Sequence, residues 1–355
     1  MRTKLFSPYQ IGGMELQNRI SVPPMCMYQA TDGMPNVWHN VHYGKLAQSG
    51  AALVCVEATA VCPEGRITPY DLGLWTNDQC DAMREMVSTM RHIDDKTKVI
   101  IQLSHAGRKG SCALGGVNLN PEDGGWELAA PSAIALSPAH RAPHEMTKAE
   151  IDKLIEAFSI AAFRAQQAGF DGIELHCAHG YLMHEFLSPL TNHRTDEFGG
   201  SLENRMRLPL MVFVAIKEAA PQLTVGVRVS ATDWIDGGWS TEETITFVKE
   251  LQRYGCEFVD VSAGGLSPDQ KVDVQYGYQL PYARAVKEAT GMPTLCCGLI
   301  KYAAQAETIL VQETADMVDI GRAMLLNPHW GWQAALELGD ESVAFPRPYA
   351  RGMHL

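Results

Sequence analysis

The chain is 355 residues long, ordinary in its 46% hydrophobic and 20% charged composition, and carries a formal net charge of −12. That acidity excludes a nucleic-acid ligand, whose phosphates it repels, and no apolar run is long enough to cross a bilayer. Arg2 and Lys4 begin the chain with no apolar segment behind them, and nine cysteines fall into no regular framework, so the expectation is a cytoplasmic protein with reduced thiols.

Taken in order, the chain opens with weak alternation around Gly12 and Gly13, the signal of a hairpin. Residues 20–22 read as strand one, 37–48 as a helix ending at Ser49 and Gly50, 51–61 as a buried second strand and 77–92 as another helix. Strand three covers 98–105. A Gly/Pro-rich excursion over 106–146 follows, without a convincing helix, and a loop of that length in a compact domain is usually functional. Thr147 and Glu150 have capping-box spacing and open a helix that runs to Gly169. Strand four covers 171–177, and a loop follows Tyr181. Helices over 202–220, 241–254, 282–289 and 303–312 then alternate with strands over 224–230, 258–262, 294–297 and 317–320.

Eight strands alternating with helices, with no repeat or linker dividing them, describe an α/β protein: one (β/α)8 TIM barrel over residues 1–355, with the N-terminal hairpin as a lid on its floor and the long loop after strand three. A doubly wound sheet is the runner-up, but it needs a G-x-G-x-x-G crossover after its first strand, which the sequence lacks.

The period-2 alternation of the strands separates two kinds of face. Ile173, Leu175 and Cys177 share one side of strand four, Glu174 and His176 the other. Gln102 falls on the same side as Ile100 and Ser104, away from Ile101 and Leu103, while Arg228 opposes Val225, Val227 and Val229. Polar groups are costly to bury without partners, so these inward residues belong at a site. In a barrel the strand ends converge, which brings Met25, Cys26, Ala60, Gln102, His176, Arg228, Gly298, Gly321 and Arg322 to one mouth.

An inward amide and a fixed cation, Gln102 and Arg228, suit the edge of a flat heterocycle that gains negative charge on reduction, as an isoalloxazine does. The structural alternative is a buried bridge from Arg228 to Glu174 one layer down. Gly264 and Gly265, Cys297 and Gly298, and Gly321 and Arg322 follow strands six, seven and eight, the side on which barrels build phosphate pockets, and together they favour a mononucleotide such as FMN. His176 and His179 admit a metal reading, with Cys177 or Glu174 as further ligands, but Cys177 points away from His176 and no further ligand pair follows; no metal is expected. The competing reading makes the two imidazoles a small oxyanion hole beside Tyr181 as proton donor. Cys26, after Pro23, Pro24 and Met25, stands apart from eight cysteines read as buried thiols; Tyr28 and Trp75 also fit a core.

The sequence resembles the Old Yellow Enzyme family of flavin-dependent ene-reductases, and within it the thermophilic-like subgroup. The motifs are Asn18-Arg19-Ile20 with Pro23 to Cys26; Glu57 to Ala60; Gln102 to Lys109; Glu174, His176, His179 and Tyr181; Phe198 to Arg205; and Gly321-Arg322. The resemblance implies non-covalent FMN, reduced by NADPH or NADH and reoxidised by an activated alkene at the same site. It implies FMN contacts from Pro24, Met25, Cys26, Ala60, Gln102, Arg228, Cys297, Gly298, Gly321 and Arg322, with Cys26 tuning the potential. It gives His176 and His179 the substrate oxygen, Tyr181 the proton for the α-carbon, and Tyr28, Lys109 and Trp75 a part in shaping the pocket. It further implies a homo-oligomer, dimer or tetramer, in which Arg351 reaches a neighbouring active site. The larger dienoyl-CoA reductase branch is disfavoured by length and by the missing iron–sulfur cysteines. Two readings from other classes are a flavin-binding redox sensor using Cys26 and a metal-dependent barrel lyase or hydrolase using His176 and His179.

Overall fold

The computed structural model describes residues 2–343 and 345–354. Eight parallel strands close into a barrel: β1 (Ile20–Val22), β2 (Leu53–Ala60), β3 (Lys98–Ser104), β4 (Gly172–Cys177), β5 (Thr224–Ser230), β6 (Val259–Ser262), β7 (Thr294–Cys296) and β8 (Met317–Asp319). Each pairs with its neighbour in sequence, and β8 pairs back onto β1. The (β/α)8 expectation holds, with strand ends moved by a residue or so.

Two apolar clusters correspond to the two faces of these strands. The larger one packs outward-facing Ile101, Leu103, Ile173, Leu175, Cys177, Val225, Val227 and Val229 against the surrounding helices. The smaller one fills the barrel floor with Leu53, Cys55, Ile100, Phe258, Leu295 and Met317. It is closed from below by Ile11, Met14 and Leu16 of the antiparallel hairpin Tyr9–Ile11 and Met14–Leu16, the lid read from Gly12 and Gly13. Gly226 leaves room for Phe258, whose ring a Cβ there would overlap.

Two residues higher on the same inward face the interior turns polar: Gln102, Glu174, Arg228, Asp260 and Asp319, each 6% exposed or less. A further step brings Ser104, His176, Ser230 and Ser262 to the mouth. The alternation that buries valines outside the sheet therefore carries chemistry up its inside.

The capping box at Thr147 is present: its hydroxyl accepts from Glu150 N, and the helix Lys148–Ala168 ends on Gly169 at φ 87°. The 106–146 excursion holds only two three-residue 3₁₀ turns and a strand pair, Ala129–Ala130 with His144–Glu145. Three helices lie where no element is expected: Leu182–Leu187 directly after Tyr181, and Arg322–Leu326 and Trp330–Leu338 after β8. No helix among the described residues is long and apolar enough to cross a membrane.

Candidate active site

A cavity of about 860 Å³ opens at the C-terminal ends of the strands. Its lining includes Pro24, Met25, Arg228, Cys297, Gly298, Gly321 and Arg322, together with His179, Ser262 and Gly265. The glycine turns after β6, β7 and β8 thus border one space. Gly298 sits at φ 128°, closed to most side chains, and a Cβ on Gly321 would come 3.3 Å from Pro23.

The backbone around this mouth is held in uncommon conformations. Tyr28, Ser111, His179, Trp234 and Leu299 all have φ between 54° and 59°, and a left-handed non-glycine residue costs about 1–3 kcal/mol. At His179 the supports are visible. Its N–H donates to Ser230 Oγ at 2.9 Å, and the following Gly180 N–H donates to His184 Nδ1 at 2.9 Å. His184 is in turn held by Asp233 at 2.9 Å.

The three residues His176, His179 and Tyr181 converge. The His176 ring lies 5.2 Å from that of His179 and 5.0 Å from that of Tyr181, centroid to centroid. Burial, reinforced by the Arg228 cation, holds both imidazoles well below their ordinary pKa, so both are neutral. His176 Nδ1 accepts from Ala178 N at 3.3 Å, which puts its proton on Nε2. His179 Nε2 lies 2.7 Å from Ser262 Oγ; with that hydroxyl donating, the other ring nitrogen carries the proton. Burial also pushes the Tyr181 phenol well up, so it keeps its proton. Two neutral N–H donors and one acid is a set that binds an electron-rich oxygen and protonates an adjacent atom.

Below them, Arg228 pairs with Asp260 of the adjoining strand, Nε to Oδ2 at 3.1 Å, and not with Glu174. The structural alternative of a bridge to Glu174 does not form, because register sets Arg228 and Asp260 opposite each other on β5 and β6. Glu174 instead accepts from Gln102 Nε2 at 2.7 Å. Although burial opposes its charge, the Asp260 carboxylate beside it keeps the guanidinium firmly protonated.

The model of the NADH:flavin oxidoreductase / NADH oxidase family matches residues 4–341. The NADPH dehydrogenase of Geobacillus thermodenitrificans (strain NG80-2) is 42% identical over 354 residues, 99% of each chain. The chain belongs to this family. Among solved structures, morphinone reductase superposes with a TM-score of 0.80 at 26% identity, over 99% of this chain and 93% of that one. Morphinone reductase in complex with tetrahydroNAD gives 0.78 at 28% identity, over 98% and 93%. These are Old Yellow Enzyme relatives, and the chain is accordingly an FMN-dependent oxidoreductase.

The residues present fit that cofactor. Among the described residues the Arg228 side chain makes, besides its ion pair, only a long Nη2 contact to Cys297 Sγ at 3.9 Å, so most of its five donors are unspent beside the cavity. Such a guanidinium, with glycine turns on one side and a proline–methionine wall on the other, suits a flat ring carrying a phosphate arm.

Other members of the expected Old Yellow Enzyme set lie outside the cavity lining. Gln102 is 2% exposed beneath it, and Ala60 is 3% exposed at the end of β2, bridged to Gly73. Cys26 is flanked by Tyr28, Asp71 and Glu57; burial and the Asp71 and Glu57 carboxyls push its thiol well up, against a smaller opposing effect of the Tyr28 hydroxyl, which withholds a thiolate. Lys109 donates to His179 O at 2.8 Å and Gly265 O at 3.0 Å, and its ammonium lies 5.0 Å from the Tyr181 ring centroid. Lys109 and Tyr28 together line a smaller cavity under the long excursion. Trp75 packs instead over Gly73 and Gly33, with Arg66 at 5.5 Å from its ring. Arg351 is exposed in the C-terminal 3₁₀ segment Arg347–His354. That tail is anchored by Phe345 and Tyr349 on Trp332, and Phe345 lines a second cavity with Asn18 and Gly50 at the opposite end of the barrel. Among the described residues no cluster of three His, Cys, Asp or Glu stands at metal-binding spacing.

Residues that sequence reasoning passed over are Ser230, Asp260 and Asp319. The strand alternation that singled out Gln102 and Arg228 assigns all three to the inner face. Glu57 was read only as part of a motif; it accepts from Met27 N at 2.9 Å and Tyr43 Oη at 3.1 Å, fixing the turn that carries Cys26.

Proposed function

We propose that this protein is an ene-reductase, using NAD(P)H to reduce the activated C=C bond of α,β-unsaturated carbonyl or nitro compounds. The observation that carries the proposal is the convergence of His176, His179 and Tyr181, two neutral donors and one protonated acid, of which His179 lines the flavin cavity. When bound, FMN supplies the hydride, taken from NAD(P)H and delivered to the β-carbon in an alternating, ping-pong cycle.

The chain's own groups do the rest. His176 and His179 hold the substrate's carbonyl or nitro oxygen and draw electron density from the alkene, and Tyr181 protonates the α-carbon from its phenol. Pro24, Met25, Cys26, Ala60, Gln102, Arg228, Cys297, Gly298, Gly321 and Arg322 form the FMN site, with Arg228 facing the edge where negative charge collects. Tyr28 and Lys109 frame the substrate side; Trp75 acts from the rim. The chain works as one domain in a cytoplasmic homo-oligomer, and Arg351, exposed on a tail anchored at the far end of its own barrel, serves a neighbour's site. The raised thiol of Cys26 argues against the redox-sensor reading.

An anaerobic visible spectrum tests the proposal. Bleaching of the flavin bands by NADPH and their return with 2-cyclohexenone is expected. Flavin that bleaches and is reoxidised by no activated alkene would remove the ene-reductase reading while leaving the family intact.

A further inference from the structure

The polar layer beneath the flavin cavity has more acids than it can ionise. Glu174, Asp260 and Asp319 rise from β4, β6 and β8, each 3% exposed or less, around the one guanidinium of Arg228. Asp260 takes that cation at 3.1 Å, and Glu174 takes the Gln102 amide at 2.7 Å. Asp319 has neither: both of its carboxyl oxygens are buried with no hydrogen-bond donor, yet the residue lines the cavity. The other titratable groups around it are the Asp260 and Glu174 carboxyls, the Arg228 guanidinium and the thiols of Cys55, Cys296 and Cys297. None of these is a free cation. An uncompensated carboxylate in such a place is expensive, and like charges that close do not both ionise.

We propose that Asp319 is a positioning residue of the cofactor site, an uncharged carboxylic acid that donates its proton to Asp260 and so leaves the Arg228 guanidinium directed at the flavin. Burial and the Asp260 carboxylate both push the Asp319 carboxyl well above its ordinary range. The hydrogen bond spreads the charge of Asp260, which otherwise draws the guanidinium down into the barrel. Arg228 then meets the negative charge that FMN acquires on reduction, and Asp319, being neutral, does not oppose it. The inference rests on FMN occupying this cavity, so the wild-type flavin spectrum is recorded first; a protein that takes up no FMN would strike that reading before Asp319 is tested.

The test is the FMN midpoint potential at neutral pH in the wild type, Asp319→Asn and Asp319→Ala holoenzymes, by dye equilibration. Asparagine donates an N–H to Asp260 as the acid does, and alanine donates nothing. The expected result is an unchanged potential in Asp319→Asn and, in Asp319→Ala, a roughly tenfold loss of preference for reduced FMN, a fall of about 30 mV for a two-electron couple. A rise in both variants would mean that Asp319 is an anion, and no change in either that it is a bystander; both results overturn the proposal. Should Asp319→Ala fail to retain FMN, the reduced-minus-oxidised infrared difference spectrum decides. A carboxylic-acid C=O band that moves on reduction in the wild type and is missing from Asp319→Asn supports the assignment, and its absence from the wild type refutes it.

Discussion

Replacing Lys109 by methionine separates the stability of this protein from its activity. The ammonium bonds to two carbonyls, His179 O at 2.8 Å and Gly265 O at 3.0 Å, across a seam where a Cβ on Gly265 would come 2.7 Å from His179 Cα. Burial lowers its pKa from 10.5 to about 8, so the charged form costs folding on the order of 3 kcal/mol near neutral pH. A lysine with a lowered folded pKa binds fewer protons when folded between those two values, so its contribution to stability rises with pH through that window. Methionine fills the same space without the charge, and the variant should melt no lower than the wild type near neutral pH. Activity should behave oppositely. The pin holds His179 at φ 59°, and releasing about 1–3 kcal/mol of backbone strain depopulates the competent conformation roughly 5- to 150-fold. Steady-state kinetics with an enone should show kcat/KM reduced by about fivefold or more, and the wild type's decline as pH rises through about 8 should vanish in the variant. A variant within about twofold of wild-type kcat/KM, or one that melts well below it, would refute the reasoning.

Three further outcomes are expected. Tyr181→Phe should slow reoxidation by an enone about 10²- to 10⁴-fold in stopped flow while leaving the rate of reduction by NADPH unaltered, because only the former needs its proton. Gly226→Ala should cost about 1–3 kcal/mol in denaturant unfolding, since its methyl meets the Phe258 ring in the filled barrel floor. Thermal stability should peak at mildly acid pH. Burial raises Glu57 to about 7 and Glu174 and Glu185 to about 8, so the folded state holds extra protons and loses stability as pH climbs from 4.5 through those values; burial lowers His39 and His105 to about 4, so stability is also lost as pH falls from 6.5 toward it. Calorimetric scans across that range check both limbs, and a melting temperature that rises steadily to alkaline pH would contradict them.

The barrel was legible because its outer face repeats one instruction. Val225, Val227 and Val229, like Ile173, Leu175 and Cys177, point every second residue into the helices, and the caps at Thr147 and Gly169 mark where a helix replaces a strand. The helices that escaped notice lack that contrast: all six residues of Leu182–Leu187 are buried, and Trp330–Leu338 is nine residues long with only Gln333 and Glu337 as its polar face, too short a stripe to stand out. At the mouth, residue type and phase put His176, Gln102 and Arg228 on the right face. The partner of Arg228 depends on how far β6 is staggered against β5, which neither strand states alone. Trp75 and Arg351 lie in a loop and a tail whose course is set by contacts with Gly33, Gly73 and Trp332, so position along the chain carried little information about them.

This division has a physical basis. Apolar pairs outside the barrel and on its floor already supply the burial that fixes the fold, so the upper interior is free to hold groups that folding alone would reject. Glu174, Asp260, Asp319 and Arg228 are expensive in a dry layer, and burying a charged set often stabilises a fold less than apolar residues of the same volume. Their position directly beneath a cavity whose expected occupant changes charge as it works is what gives the cost a function. In such a barrel the inward residue that breaks the apolar pattern is the one to test first, and Asp319, with no donor for either oxygen and, unlike Asp260, no ion pair among the described residues, breaks it furthest.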